Sequence, residues 1–364
     1  MLEQDNTGKI RTLQGARFLF AVFIFISHCA TPTIEQGFNF GGESGVAFFF
    51  VLSGFALSWG YGPRISRGEF SAKQFFWRHF WRLYPLHLLL WTITLLADMR
   101  IGLTYDWLQI TSSLLLLQSW IPSMHTLFTV NALSWFLCNI IFFYVVFGWL
   151  YKWLMHVRLK PLFIGMAAYC ALYLIVAAQV PDDMFNCTLY ANPLLRLFDF
   201  GLGILTYRIY KTKACKEPAP TAVAGNSCGS SSLRYVLLRD ALLLVVLYVL
   251  YQQLPQGVRC AAPFWLVMPL LVYDMVRAQH SRELLVRFFS SKAMMWLGGI
   301  SFEFYLSHTF MLRISQHVVG FDGTLHRDML MFFVAFCLAI VVGGVLHYGF
   351  VRPVSNVINR QFLH

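Results

Sequence analysis

The chain has 364 residues, of which 58% are hydrophobic and only 12% are charged, and its formal net charge is +11. Soluble globular domains are closer to half apolar and a quarter charged, so this composition excludes an ordinary soluble protein. In a soluble protein the positive charge would point to nucleic acid. Here membrane topology explains it better, and we predict no nucleic-acid partner.

Apolar runs of about 20 residues recur along the whole chain, and each is long enough to cross a bilayer. The first run is too long for a signal peptide, and no small-residue cleavage site follows it. We predict an all-α fold, a polytopic membrane helix bundle that forms one domain over 1–364 with no appended extracytoplasmic domain. The number of spans could differ by one, because residues 105–121 can lie in the membrane interface or form a re-entrant segment. The predicted transmembrane helices, about ten in number, cover 14–31, 43–61, 83–99, 131–151, 161–179, 193–209, 234–252, 260–277, 293–313 and 328–350.

The distribution of Lys and Arg predicts the orientation of these spans, because inner segments collect positive charge. With both termini inside (N-in/C-in), the outer side keeps only Arg100, Arg259, Arg313 and Arg327, all near span ends. Residues 212–232 are rich in Pro, Ala, Gly and Ser, and we predict that they form a flexible cytoplasmic loop.

The first apolar run, GARFLFAVFIFISH (15–28), carries two ionisable residues, Arg17 and His28. In an α-helix this spacing makes about three turns, so both side chains lie on one face, separated by roughly 16 Å. Arg17 is then near the cytoplasmic mouth and His28 is toward the outer half of the membrane. Ionisable groups within a span are costly and indicate a functional cavity by default. The alternative is that Arg17 snorkels to lipid phosphates and His28 bonds a neighbouring helix, but the pair on one face favours function.

The second run, GGESGVAFFFVLSGFALSW (41–59), is rich in small residues that let helices pack closely. Glu43 sits where the chain re-enters the membrane, on the same outer side as His28. Its carboxylate can orient the imidazole and fix its tautomer, or it can be an exposed loop carboxylate. The sequence leaves these two interpretations equal.

The segment KQFFWRHFWRLYPLH (73–87) places Arg78 and Arg82 four residues apart, on one helical face, with His79 beside them. One interpretation is interfacial anchoring, in which these residues bind membrane lipids with acidic head groups. The other is a site for a cytosolic molecule that carries phosphate, which guanidinium groups recognise well.

A late segment, ISFEFYLSHTF, brings Glu303, Tyr305 and His308 into an apolar context. Tyr305 and His308 are one turn apart, whereas Glu303 and His308 are five residues apart and less well aligned. Two interpretations remain open: the three residues line a substrate (acceptor) cavity, or they tie helices together.

Four elements together resemble one family. They are the Arg-x10-His spacing, GVAFFFVLSGF, the basic WRHFWRLYP segment and LGGISFEFYLSH. In this order, from about residue 10 to 350, they are similar to the membrane acyltransferase family 3, whose members O-acylate carbohydrates of the O-antigen and exopolysaccharide type. The segment SWFLCNIIFFY (134–144) also looks like a family element.

The resemblance implies an acyl-CoA co-substrate, usually acetyl-CoA, with no permanently bound cofactor. We predict no metal site, because no Cys pair forms CxxC and no His/Cys spacing suggests zinc. It implies that His28 is the essential histidine and that Arg17 is its partner in the motif. The basic residues Arg78, His79 and Arg82 are then expected near the phosphates of the donor.

Three positions depart from the family pattern. Ala47 replaces an acidic residue, Ile140 replaces a glutamate, and His79 takes the first position of an RxxR spacing. These departures affect the assignment of carboxylate and phosphate-binding roles but not the family resemblance.

The resemblance therefore implies a membrane O-acyltransferase, by default an O-acetyltransferase. The residues are compatible with His28 as its general base, with Arg17 and Glu43 as further catalytic candidates. The acceptor is expected to be a hydroxyl of a surface carbohydrate or lipid-linked glycan, such as O-antigen, capsule or exopolysaccharide, and the location a bacterial inner membrane. The alternative is a transporter or flippase, although the chain shows no inverted repeat.

Overall fold

The computed structural model describes residues 10–29, 40–214, 230–279, 281, 283–320 and 322–362, and it is helical without strands over these ranges. Most of the predicted loop 212–232 lies outside the described residues. The α-helices are α1 (Arg11–Ser27), α2 (Phe40–Ser66), α3 (Ala72–Arg100), α4 (Trp107–Leu114), α5 (Met124–Leu127), α6 (Trp135–His156), α7 (Leu159–Ala177), α8 (Pro193–Ala214), α9 (Ser230–Tyr251), α10 (Gln256–Arg259), α11 (Phe264–Ala278), α12 (Leu284–Phe289), α13 (Lys292–Gly299), α14 (Ser301–Val318), α15 (Leu325–Leu346) and α16 (Arg352–Phe362).

Within the described ranges, six helical segments are long and apolar enough to cross a membrane. The prediction of an all-α membrane bundle is thereby confirmed, whereas the number of about ten spans and the N-in/C-in orientation stay predictions. The six segments are Phe40–Ser66, Ala72–Arg100, Ala132–His156, Leu159–Ala177, Gln256–Ala278 and Leu325–Ile358.

The predicted span 293–313 is interrupted. Helix α13 ends at Gly299 and α14 begins at Ser301, with Ile300 between them. The Ser301 hydroxyl donates to the Gly298 carbonyl oxygen at 2.9 Å, which satisfies a backbone group where the helical ladder stops. The interruption opens the first turn of α14, which contains Glu303, toward the interior of the bundle.

The segment 105–121 forms only the short helix α4 and a 3-10 turn. Asp106 caps α4 by accepting from the Gln109 backbone N–H, while the Gln109 side chain accepts from the Asp106 backbone N–H. An eight-residue helix rises only about 12 Å, so this segment is too short to span a bilayer.

The centre of the bundle is built on backbone contact between α2 and α8. A Cβ added at Gly54 would lie 2.0 Å from the Phe200 carbonyl oxygen, and one added at Gly203 would lie 2.0 Å from the Val51 carbonyl oxygen. Only glycine permits this approach, as in other close-packed membrane helices. The phenylalanine run of α2 fills the adjoining space, where Phe50 stacks on Phe136 with ring centroids 4.7 Å apart.

A fully buried guanidinium ties α8 to its neighbours. Arg196 forms an ion pair with Asp199 at 3.4 Å, and both side chains are 1% exposed. It also donates to the carbonyl oxygens of Tyr190 at 2.6 Å and Cys260 at 2.9 Å. A buried charge is tolerated only when it is paired and hydrogen-bonded, so this network fixes one packing arrangement.

Candidate active site

Two cavities within the described residues contain candidate site residues. The larger of these two has a volume of about 710 Å³, and we call it the basic cavity. Helices α1, α2, α3, α6, α14 and α16 all contribute to its wall. Its charged and titratable lining residues are Arg17, Arg78, His79, Arg82, Tyr144, Glu303, Tyr305, His347 and Arg352. The structure therefore brings Arg17 and all three predicted phosphate-site residues into one cavity.

The start of α3 presents the basic residues to this cavity. Ser71 caps the helix by accepting from the Gln74 backbone N–H, and Arg78 and Arg82 follow on one face. His79 donates through Nδ1 to the Phe75 carbonyl oxygen at 2.8 Å. The His79 ring also packs against the Phe75 ring, 4.3 Å between centroids, so its aromatic neighbours hold it in place.

In the lining of the basic cavity, His347 donates a hydrogen bond to Glu303 from a neighbouring helical segment. The distance between His347 Nδ1 and Glu303 Oε1 is 2.8 Å, and the Glu303 side chain is 4% exposed. Within the part of the chain that the structure describes, Glu303 Oε2 has no hydrogen-bond partner, and neither has Arg17 Nε. Arg17 interacts electrostatically with both Glu303 and Arg82.

The smaller cavity has a volume of about 340 Å³, and we call it the histidine cavity because it contains His28. The end of α1 and the start of α2 form one side of it, and the segment from Tyr251 to Arg259 forms another. Glu43 and Arg259 contribute opposite charges to the lining of this cavity.

The hydrogen bonding of His28 suits a general base. Its Nδ1 lies 2.8 Å from the Ile24 carbonyl oxygen, one turn earlier in α1. A carbonyl oxygen only accepts, so Nδ1 carries the proton, and Nε2 of the neutral ring has a lone pair available. The backbone carbonyl of Ile24 thereby fixes the tautomer of His28. The sequence had suggested Glu43 as one candidate for this role.

Glu43 is held by a different partner. The Tyr251 hydroxyl donates to Glu43 Oε2, and the Arg259 guanidinium lies over the Tyr251 ring, 5.0 Å from its centroid. Among the described contacts of Glu43, none is a hydrogen bond to His28. The carboxylate is half-buried and belongs to the wall of the histidine cavity.

Tyr305 lines both cavities and forms the partition between them. Its hydroxyl donates to the Leu133 carbonyl oxygen at 3.1 Å, and its ring lies edge-to-face with Phe136, 5.4 Å between centroids. The side chain is only 5% exposed. Two contacts on separate elements therefore hold the ring between the two cavities.

The structure separates residues that the sequence grouped together. Arg17 and His28, predicted to share a face of α1, line different cavities. Glu303 lies in the basic cavity, Tyr305 lies between the cavities, and His308 lies beside His28 with ring centroids 5.2 Å apart. The predicted acceptor cluster is thus distributed along α14.

Several residues that line the two cavities were not predicted from the sequence as site residues. His347 is an ionisable residue at the end of an apolar run, a signal of the kind that drew attention to His28. Arg259 was considered only as an outer charge, and Tyr251 and Arg352 carry no motif that would single them out. Their positions in the two cavities depend on tertiary packing.

A bundle with these apolar helices is an integral membrane protein, and comparison with known proteins identifies it as a membrane acyltransferase. The chain belongs to the acyltransferase 3 family, whose defining unit, described as an acyltransferase domain, matches residues 10–349. A relative, acyltransferase MdmB of Streptomyces mycarofaciens, is 26% identical over 396 aligned positions, which cover 97% of this chain and 93% of the relative. No solved structure matches the chain.

Proposed function

We propose that this protein is an O-acetyltransferase that moves an acetyl group from cytosolic acetyl-CoA to a hydroxyl of a surface carbohydrate. The observation that carries the proposal is the pair of cavities that meet at Tyr305. One is rich in guanidinium groups, and the other contains His28, whose Nδ1 is held by a backbone carbonyl so that Nε2 is the acceptor nitrogen of the ring. The acceptor class, O-antigen, capsule, exopolysaccharide or a lipid-linked glycan, and a bacterial inner membrane location belong to the same proposal.

The donor occupies the basic cavity in this proposal. Arg78, Arg82 and His79 lie at the end formed by the start of α3, where they can bind the phosphates of coenzyme A. The pantetheine arm then extends past Arg17 toward Tyr305. No resident cofactor is needed, because acetyl-CoA enters and coenzyme A leaves in each cycle.

The acceptor hydroxyl binds in the histidine cavity, where His28 Nε2 removes its proton as the oxygen attacks the thioester carbonyl carbon. A C–O bond forms and the C–S bond breaks. The proton then passes from His28 to the thiolate sulfur, so the products are an O-acetyl ester and coenzyme A. The reaction consumes no other reagent and leaves the histidine neutral.

Negative charge develops on the carbonyl oxygen during attack and needs a hydrogen-bond donor. Arg17 lines the other cavity, whereas Arg259 lines the same cavity as His28. Arg259 Nε is buried without a hydrogen-bond partner in the described structure. We assign this stabilising role to Arg259, and we assign to Glu43 and Tyr251 the role of holding it in position.

The test uses membranes that contain the wild-type protein, His28→Ala or His28→Gln, at matched expression, incubated with acetyl-CoA labelled in the acetyl group. We expect labelled envelope glycan with the wild type and at least a hundredfold less with either variant, in the range that removing a general base costs. Glu69→Gln, which neutralises an exposed carboxylate paired with Arg67 outside both cavities, is the control. Equal labelling by wild type and His28→Gln would contradict the proposal.

A further inference from the structure

Glu303 is a carboxylate in an unusual place, inside a cavity whose other charged lining groups are basic. The residue is 3% exposed, and His347 satisfies only Oε1. Oε2 is a buried acceptor with no partner in the described structure. Leaving such an oxygen unsatisfied costs free energy, which indicates that a ligand group completes it.

A hydrogen-bond donor without a partner lies on a second residue that lines the same cavity. Arg17 Nε is buried and without a hydrogen-bond partner among the described residues, and Arg17 interacts electrostatically with Glu303. Both residues line this cavity. One N–H donor and one oxygen acceptor without partners in the described structure match a secondary amide, which has one C=O acceptor and one N–H donor.

We propose that Glu303 and Arg17 form a binding subsite for a secondary amide of the pantetheine arm, with Glu303 Oε2 accepting its N–H and Arg17 Nε donating to its carbonyl oxygen. This inference rests on the proposed function, in which an acyl-CoA occupies the basic cavity. His347 is a positioning residue, because its Nδ1 holds the other carboxylate oxygen and thereby orients Oε2.

The charges along the cavity give the subsite a second consequence. The guanidinium groups of Arg78 and Arg82 attract phosphate, whereas the carboxylate of Glu303 repels it. The pantetheine arm of coenzyme A is uncharged from the pyrophosphate to the thiol, so it is the part of coenzyme A that can lie against Glu303. The carboxylate therefore fixes the direction in which the donor enters, with the thioester leading toward Tyr305.

The experiment measures ligand binding by calorimetry on purified protein, without any acceptor. The probes are coenzyme A, pantetheine and adenosine bisphosphate, which separate the two halves of the donor. The variants are Glu303→Leu, which removes the acceptor, and Glu303→Gln, which keeps a neutral acceptor. Arg82→Ala tests the phosphate end, and Glu69→Gln is the control for removal of an exposed carboxylate.

We expect Glu303→Leu to weaken binding of both coenzyme A and pantetheine about tenfold, the effect of losing a hydrogen bond to a charged group. Glu303→Gln should lie between it and the wild type. Adenosine bisphosphate binding should be unchanged in both. Arg82→Ala should show the opposite pattern, with weaker binding of coenzyme A and adenosine bisphosphate and unchanged binding of pantetheine.

Wild-type affinity for pantetheine in both Glu303 variants would overturn the subsite. An equal loss for adenosine bisphosphate and pantetheine in Glu303→Leu would also overturn it, because that pattern indicates a structural role. Failure of the wild type to bind either coenzyme A or pantetheine would instead overturn the proposed donor itself. If Glu303→Leu does not fold, the affinities of Glu303→Gln for pantetheine and adenosine bisphosphate are compared in the same way to test the subsite.

Discussion

The imidazole rings of His28 and His308 lie edge-to-face with centroids 5.2 Å apart, and each ring directs Nδ1 at a backbone carbonyl of its own helix. For His308 the partner is the Tyr305 carbonyl oxygen at 2.6 Å. His308 is fully buried and packs against the His28 ring. The pair thus links His28, at the end of α1, to α14, which also carries Tyr305.

Replacement of His308 should distinguish this supporting role from a chemical one. Asn can keep a donor near the position of Nδ1, whereas Ala leaves a void beside His28. We expect His308→Asn to retain acetyl transfer within about tenfold of wild type and His308→Ala to lose more than that, as expected for loss of positioning. Steady-state kcat with equal amounts of folded protein checks this. A greater loss in the Asn variant than in the Ala variant would refute the supporting role.

Removal of charge at Arg78 or Arg82 should raise KM for acetyl-CoA about tenfold, because an interaction of a charged group with phosphate contributes 1.5–3 kcal/mol or so. The kcat should change little, since these contacts are made equally in the ground state and the transition state. Steady-state kinetics of Arg78→Gln and Arg82→Gln, at low and high salt, measure the changes in KM and in kcat. The matched control is Arg67→Gln, an exposed arginine outside both cavities. A fall in kcat with unchanged KM would contradict phosphate binding.

Tyr305→Ala should join the two cavities and admit water to the thioester when no acceptor is bound. We expect acceptor-independent hydrolysis of acetyl-CoA to rise several-fold while transfer to glycan falls. Tyr305→Phe keeps the ring and loses only the hydrogen bond to the Leu133 carbonyl oxygen, worth about 1 kcal/mol, so its hydrolysis should stay near the wild-type rate. Release of free coenzyme A, measured with a thiol reagent, reports hydrolysis. Equal hydrolysis in all three proteins would argue against a partition.

Arg196→Met should lower the stability of the bundle by about 3–5 kcal/mol, because it leaves the buried Asp199 carboxylate without its partner. Arg196 lines neither cavity, so the folded variant should keep its KM for acetyl-CoA. Thermal unfolding in detergent, followed by tryptophan fluorescence, measures the loss. The control is Arg327→Gln, which breaks an exposed ion pair with Asp322 and should change stability by no more than about 1 kcal/mol. Equal unfolding midpoints for both variants would contradict a stabilising network at Arg196.

The sequence predicts the bundle and most ionisable groups of the site because these depend on composition and local spacing. The separation of Glu303 from His308 follows in part from helix geometry, since five residues turn an α-helix about 140° past one full turn. The pairing of Glu303 with His347 could not be predicted in this way, because the two residues are 44 positions apart and meet only through the packing of α14 on α15. The partition at Tyr305 likewise depends on where α13 ends, which apolar periodicity does not reveal.

Backbone contact at Gly54 and Gly203 has a mechanical consequence. The backbones of α2 and α8 are in direct contact, with no side chains between them at these positions. The two helices therefore cannot move easily past each other, and they form one rigid unit. Conformational changes are then confined to elements outside this rigid unit. The chain can bend at Ile300, where the short helix α13 meets the longer α14, and Tyr305 then moves with α14. We therefore expect a conformational change in this protein to be a movement of α14 relative to the fixed pair of α2 and α8.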